Sequence, residues 1–256
     1  MHYKIKYYCI SHIGNVRKSN QDNYICDSHF GEINDTSHMA PIHGQKISKG
    51  YSLFGVFDGL GGEECGEVAS YIAAKNASSL EFTKNAIADL EKYCQKTNAD
   101  ICSYIGENKL FSMGTTAALL LFSNKKITLC NIGDSKIFRF SDGALEQISQ
   151  DHIATTGFGR KPPLLQNLGI PPHELRIEPY FAQGRYKSGD MYLICSDGLT
   201  DMVTNDEILQ ILSKEAYDSA AERLLEKALS NGGKDNVTLI VCKIERKSIC
   251  FFKGRN

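Results

Sequence analysis

The stretch KITLCNIGDSKIFRFSDGALEQI, residues 126–148, decides the fold class. Residues 127–132 and 136–140 are strand-like runs joined only by Gly133, Asp134 and Ser135, and Ser141-Asp142-Gly143 then turns the chain toward a third run at 144–148. A parallel crossover needs a dozen or more residues, so connections this tight predict antiparallel pairing at both turns. Similar β-rich runs recur at 4–11, 23–29, 51–58, 115–122, 175–181, 191–197 and 237–244. Helical periodicity appears at 63–80, 83–105, 205–212 and 216–229. Strands and helices therefore come in clusters and do not alternate strictly. This order predicts an α+β layered fold of antiparallel sheets with helices packed outside them.

Composition narrows the functional classes. The chain has 256 residues, 42% of them hydrophobic, with a net charge of −1, which suits a single domain spanning 1–256. No lysine or arginine block is long enough to track a phosphate backbone, so no nucleic-acid partner is expected. The basic end, about 246–256, reads as a short solvated tail. The N-terminus lacks the apolar core of a signal peptide, and the longest apolar run, 116–122, is too short to cross a bilayer. The nine cysteines include no CxxC pair, and Cys130, Cys195 and Cys242 sit inside apolar runs, which fits packed thiols in a reducing cytoplasm and argues against zinc.

Three Asp-Gly pairs carry different meanings. Asp142-Gly143 lies between two amphipathic strand patterns and reads as a turn. Asp58 and Asp197, in contrast, stand at the exits of nearly all-apolar runs, where a carboxylate is partly desolvated and calls for a proton, a cation or several N–H donors. Asp235, in GGKDNVTLIV, opens another such run. With Asp22 and Asp134 they form a set of aspartates at strand ends, flanked by Gly, Ser or Asn. Should they converge, hard oxygen donors without His or Cys would suit Mg²⁺ or Mn²⁺; independent turns and caps are the competing reading. Glu63 and Glu64 fit the first turn of a helix through the macrodipole and are left outside the set.

The ordered series Arg17, Asn20-Gln21-Asp22, Val56-Phe57-Asp58-Gly59-Leu60-Gly61-Gly62, Gly114-Thr115-Thr116, Asn131-Ile132-Gly133-Asp134-Ser135, Cys195-Ser196-Asp197-Gly198-Leu199 and Asp235-Asn236-Val237-Thr238 resembles the metal-dependent (PPM, or type-2C) serine/threonine protein phosphatases of bacterial type. The resemblance implies a four-layer sandwich, two central antiparallel β-sheets flanked by α-helices, with a two-metal site at one end. It implies that Asp58 bridges both Mg²⁺ or Mn²⁺ ions, that the Gly59 carbonyl binds one, and that Asp197 and Asp235 bind the other. Asp22 would hold waters of the metal shell, Asp134 a third and weaker ion, and Arg17 the phosphate. The catalytic set would be Asp58, Asp197 and Asp235, and the substrates phosphorylated proteins, targets of a serine/threonine protein kinase.

The chain departs from that family in several places. Leu60 stands where many eukaryotic members carry a proton-donating histidine, which points to the bacterial type. Gln21 stands where an acid is common. The stretch after Asp151-His152 leaves room for only a short flap or none, so substrate selection is expected to fall on 153–172 and on the polar insert 29–49 with His38 and His43. His152 is either a catalytic acid or, the favoured reading, a loop histidine satisfied by local hydrogen bonds. Two other functions stay open at this stage: a catalytically silent phosphatase-like binding module, and a hydrolase of small phosphoesters.

Overall fold

Apolar runs that must cover both faces end up sandwiched, and the computed structural model places nearly all of them in two antiparallel sheets. It describes residues 3–33, 40–48, 50–60, 65–155 and 162–246. The elements in chain order are β1 (Tyr3–His12), β2 (Asn23–Cys26), β3 (Ile42–Ile47), β4 (Tyr51–Phe57), β5 (Gly59–Leu60), α1 (Gly66–Ser78), α2 (Ala86–Asn108), β6 (Gly114–Thr115), β7 (Ala117–Ser123), β8 (Lys126–Ile132), β9 (Lys136–Ser141), β10 (Ala144–Gln147), β11 (Tyr180–Arg185), β12 (Met191–Cys195), α3 (Asp197–Thr200), α4 (Asn205–Lys214), α5 (Tyr217–Ser230) and β13 (Val237–Arg246). One sheet has the order β10-β9-β12-β13-β1-β3, the other β11-β8-β7-β4-β2, and β5 pairs with β6 in a small ribbon.

Strand alternation separates three apolar layers. Ala118, Leu120 and Phe122 of β7 point with Ile240, Cys242 and Ile244 of β13 into the core between the sheets. Their neighbours Ala117, Leu119 and Leu121 face α1 and α2. On the far side, Val237, Leu239 and Val241 face α4 and α5, which contribute Ile208, Leu212 and Leu224. This is the expected four-layer sandwich.

The first turn of 126–148 does not behave as expected. Strand β8 lies between β7 and β11, whereas β9 lies between β12 and β10, so the two are not a hairpin. Gly133, Asp134 and Ser135 instead carry the chain from one sheet to the other. The reach is sufficient, since four peptide steps of about 3.3 Å span the roughly 10 Å between packed sheets. Each strand also has apolar residues on both faces, and each finds cover for both in a different sheet. The second turn does close a hairpin, with Asp142 at φ 52° and Gly143 at φ 80°, both positive as a tight two-residue turn requires.

Other boundaries moved. The run expected at 175–181 forms β11 at Tyr180–Arg185, and the insert 29–49 contributes β3, an edge strand whose alternating exposure hid it among polar residues. His43 of β3 stacks on Tyr8 with ring centroids 5.8 Å apart. In the described part of 153–172 there is no helix; Ile153 bridges Leu164 and Leu168 bridges Thr115, in keeping with a short or absent flap. His38, Gly61, Gly62, Glu63, Glu64 and the tail from 247 onward lie outside the described residues. No described helix is long and apolar enough to cross a membrane.

Candidate metal centre

Asp58 stands half-buried where β4 leaves the core. Its backbone is held on both sides: its N–H donates to Thr116 Oγ1 at 3.0 Å, and its carbonyl accepts from the Thr116 N–H at 2.9 Å and from Thr115 Oγ1 at 3.0 Å. Thr116 Oγ1 also shares a 2.7 Å hydrogen bond with Ser135 Oγ, which ties Asp58 to the inter-sheet turn that carries Asp134. Burial pushes the Asp58 carboxyl well above the usual range, and the charges of Asp197, Asp22, Asp134 and Asp235 push it further.

Asp22 is buried beside it. Its carboxylate accepts a 2.7 Å hydrogen bond from Ser196 Oγ, and Ser196 Oγ in turn accepts the Thr238 N–H at 3.0 Å. Ser11, Asn20 and Thr238 complete a buried polar network, with Ser11 Oγ 2.7 Å from Thr238 Oγ1 and 2.9 Å from Asn20 Nδ2. Burial raises Asp22 to about 7, despite the Ser196 and Thr238 hydrogen bonds that favour its charge, and Asp197 and Asp235 add to the rise.

Asp197, 8% exposed, is the first residue of α3, and Gly198 explains its placement. A Cβ on Gly198 would lie 1.9 Å from the Asn236 carbonyl oxygen, so only glycine lets α3 start against the residue that follows Asp235. Gly59, in the small β5–β6 ribbon, does the same for the start of α1. A Cβ there would lie 2.3 Å from the Gly66 carbonyl oxygen and 2.4 Å from that of Gln21, and its own N–H donates to the Gln21 carbonyl at 3.2 Å.

Asn236 fastens the loop that carries Arg17. Its Nδ2 donates to the carbonyls of Ile13 at 2.8 Å and Ser19 at 2.9 Å, and its Oδ1 accepts the Gln21 N–H at 2.8 Å. From that loop the Arg17 guanidinium reaches Asp235 Oδ2 at 2.7 Å. The arginine expected to hold phosphate thus lies at the site, paired with an aspartate.

The structure therefore brings together all seven residues singled out from the sequence: Asp22, Asp58, Asp134, Asp197 and Asp235 share one electrostatic neighbourhood, Gly59 follows Asp58, and Arg17 meets Asp235. Among the described residues no three acids, histidines or cysteines close into a ready-made metal cage. Gln21 turns away from them, its Nε2 donating to Glu67 Oε2 of α1 at 3.2 Å. His152 is a satisfied loop histidine: its ring Nδ1 accepts the Gly133 N–H at 3.2 Å, and its main-chain N–H donates to the Gly133 carbonyl at 2.9 Å. Sequence reasoning gave no role to Thr116, Ser135, Ser196, Asn236 or Thr238, although each adjoins an apolar run or a motif glycine, where a small polar residue has little reason to be buried unless it serves a neighbour.

The family model of protein phosphatase 2C matches residues 41–234. The chain belongs to the protein phosphatase 2C family. Among curated relatives in this family, the serine/threonine phosphatase stp of Listeria monocytogenes is 32% identical over 209 residues, covering 73% of this chain and 82% of its own length. The serine/threonine protein phosphatase PstP of Mycobacterium tuberculosis is 33% identical over 214 residues, covering 77% of this chain but only 41% of the relative, so the chain spans about two fifths of that protein. Among solved structures, the catalytic domain of the serine/threonine protein phosphatase PstP in complex with two manganese ions has a TM-score of 0.75 at 29% identity and covers 95% of this chain and 100% of that one. The protein phosphatase 2C architecture thus extends over nearly the whole chain.

Proposed function

We propose that the chain, acting as one unit over 1–256, hydrolyses phosphoserine and phosphothreonine in proteins with the help of Mg²⁺ or Mn²⁺. The observation that carries this reading is the convergence of four aspartates from four separate segments on Asp58, a repulsive arrangement that divalent cations would relieve. The donors suit such ions. They are carboxylates and a backbone carbonyl, and both cations retain several waters, so each needs only a few protein oxygens. Asp58, Gly59, Asp197 and Asp235 would hold two ions, with Asp22 in the hydrated shell and Asp134 beside a third. When bound, such ions acidify water into a nucleophile near neutral pH and neutralise phosphoryl charge.

The chain's own residues supply position and selectivity. Arg17, about half exposed, offers a planar fork matched to phosphate oxygens, and the Asn236 hydrogen bonds keep its loop in place. Leu60 carries no proton to give, so the leaving oxygen takes one from solvent at the site. The described cysteines are free thiols, which supports a cytoplasmic setting, and a net charge of −1 with no long basic block gives no electrostatic footprint for nucleic acid. The counterpart enzyme would be a serine/threonine protein kinase.

The test is phosphate release from a phosphothreonine peptide by the chelator-treated chain, titrated with Mn²⁺ and then Mg²⁺. Release is expected only with metal, and Asp235→Ala is expected to lower it by about a hundredfold or more while the fold is kept. Folded protein that releases nothing with either metal would leave a binding module. A kcat/KM for a small phosphoester orders of magnitude above that for the peptide would replace the protein substrate.

A further inference from the structure

Gln150-Asp151-His152 lies along the inter-sheet turn Asn131 to Lys136 and engages it at every residue. The Gln150 carbonyl accepts from Asn131 Nδ2 at 2.9 Å, the Asp151 carboxylate pairs with Lys136, and His152 takes both backbone hydrogen-bonding groups of Gly133, its main-chain N–H donating at 2.9 Å and its ring Nδ1 accepting at 3.2 Å. The His152 ring also hydrogen-bonds the Glu178 backbone. Gly133 needs this bracing from outside. Its φ of +102° excludes most L side chains, and a Cβ there would lie 2.5 Å from Thr116 Cγ2, so Gly133 brings no side chain of its own to add to the Asn131 and Ser135 hydrogen bonds of the turn. The next residue is Asp134, 7% exposed and part of the electrostatic neighbourhood of Asp58.

We propose that His152 is a positioning residue for Asp134: by accepting the Gly133 N–H on its ring Nδ1, next to the main-chain hydrogen bond between the same two residues, it fixes the inter-sheet turn, keeps the Asp134 carboxylate at the site, and so sets the affinity for one divalent cation. This rests on the reading of Asp134 as a cation ligand. The role requires a lone pair on Nδ1. Burial lowers the His152 pKa from its ordinary value, which keeps that lone pair available at neutral pH. A residue bracing a ligand from behind acts as outer-shell partners do at metal sites, where its loss weakens binding without removing a donor.

The test is calorimetric titration of the chelator-treated full chain with Mn²⁺, with Asp134→Ala, His152→Ala and His152→Asn alongside and a thermal melt for each. Asp134→Ala is expected to abolish one class of Mn²⁺ site. His152→Ala is expected to weaken that same class by about tenfold or more and to leave the others unchanged. His152→Asn, whose Oδ1 sits where Nδ1 did and accepts the same N–H, is expected to restore it. If Asp134→Ala loses the site while His152→Ala titrates like the parent, the positioning role is overturned and the Asp134 reading survives. An Asp134→Ala protein that titrates like the parent overturns both. Uniform weakening of every class in His152→Ala, or no rescue by folded His152→Asn, would reduce His152 to general support of the fold and overturn the proposal.

Discussion

Asp22 makes the strongest prediction at the scale of single residues. Its carboxyl is raised to about 7 in the folded chain but titrates near roughly pH 4 when unfolded. Between those values the folded state holds a proton that the unfolded state has lost, so stability is full below about pH 4 and falls as pH rises toward 7. Asp58, also raised, acts in the same direction. The melting temperature of chelator-treated protein is therefore expected to drop by several degrees between pH 5 and pH 7, and Asp22→Asn to flatten that slope. An Asp22→Asn protein with the parent's slope would remove Asp22 as its source. The aspartates themselves were legible in the sequence, because a carboxylate at the exit of an all-apolar run is conspicuous. Their supporting hydroxyls were not: Ser196 and Thr238 matter only through a contact with Asp22, which lies far away in sequence.

Elements are joined at this site through close backbone approaches, and glycine sets the distance. Replacing Gly198 with alanine would drive a Cβ to 1.9 Å from the Asn236 carbonyl oxygen, forcing α3 off the strand that follows Asp235. Gly198→Ala is expected to cost about 3 kcal/mol in denaturant unfolding and to weaken metal binding with it. A loss below about 1 kcal/mol would mean that the start of α3 moves freely. Thr204→Ala serves as the contrast. It breaks a capping box in which Thr204 Oγ1 accepts the Glu207 N–H at 3.3 Å and Glu207 Oε2 accepts the Thr204 N–H at 3.0 Å. About 1 kcal/mol should be lost there with the proposed activity unchanged, and a fall in activity matching that of Gly198→Ala would show that the helices couple to the site more widely. Helix α4 was readable in advance because its cap and periodicity are local. Strand β3 was missed because an edge strand with no fully buried residue has no apolar pattern to read.

The whole molecule is held by the layer between the sheets, where Leu120 of β7 is fully buried. Leu120→Ala is expected to cost about 3 kcal/mol, and because both sheets share that layer the protein should still unfold in one transition. Two separated transitions in the variant would show the sheets to be independent. The sequence alone determined most of the strands and helices, β3 excepted, where the tight turns lie and which carboxylates stand at strand ends, since propensity, periodicity and turn chemistry act over a few residues. Only the tertiary structure decided which strands are neighbours. A run buried on both faces packs equally well beside many partners, and three residues at Gly133 to Ser135 suffice either to close a hairpin or to step between sheets. That step is also what places Asp134 near Asp58, as the pairing of β1 with β13 brings the loop that carries Arg17 to Asp235 from opposite ends of the chain. Long-range pairing is chosen by the burial of whole faces, a sum over the entire core that no local stretch contains.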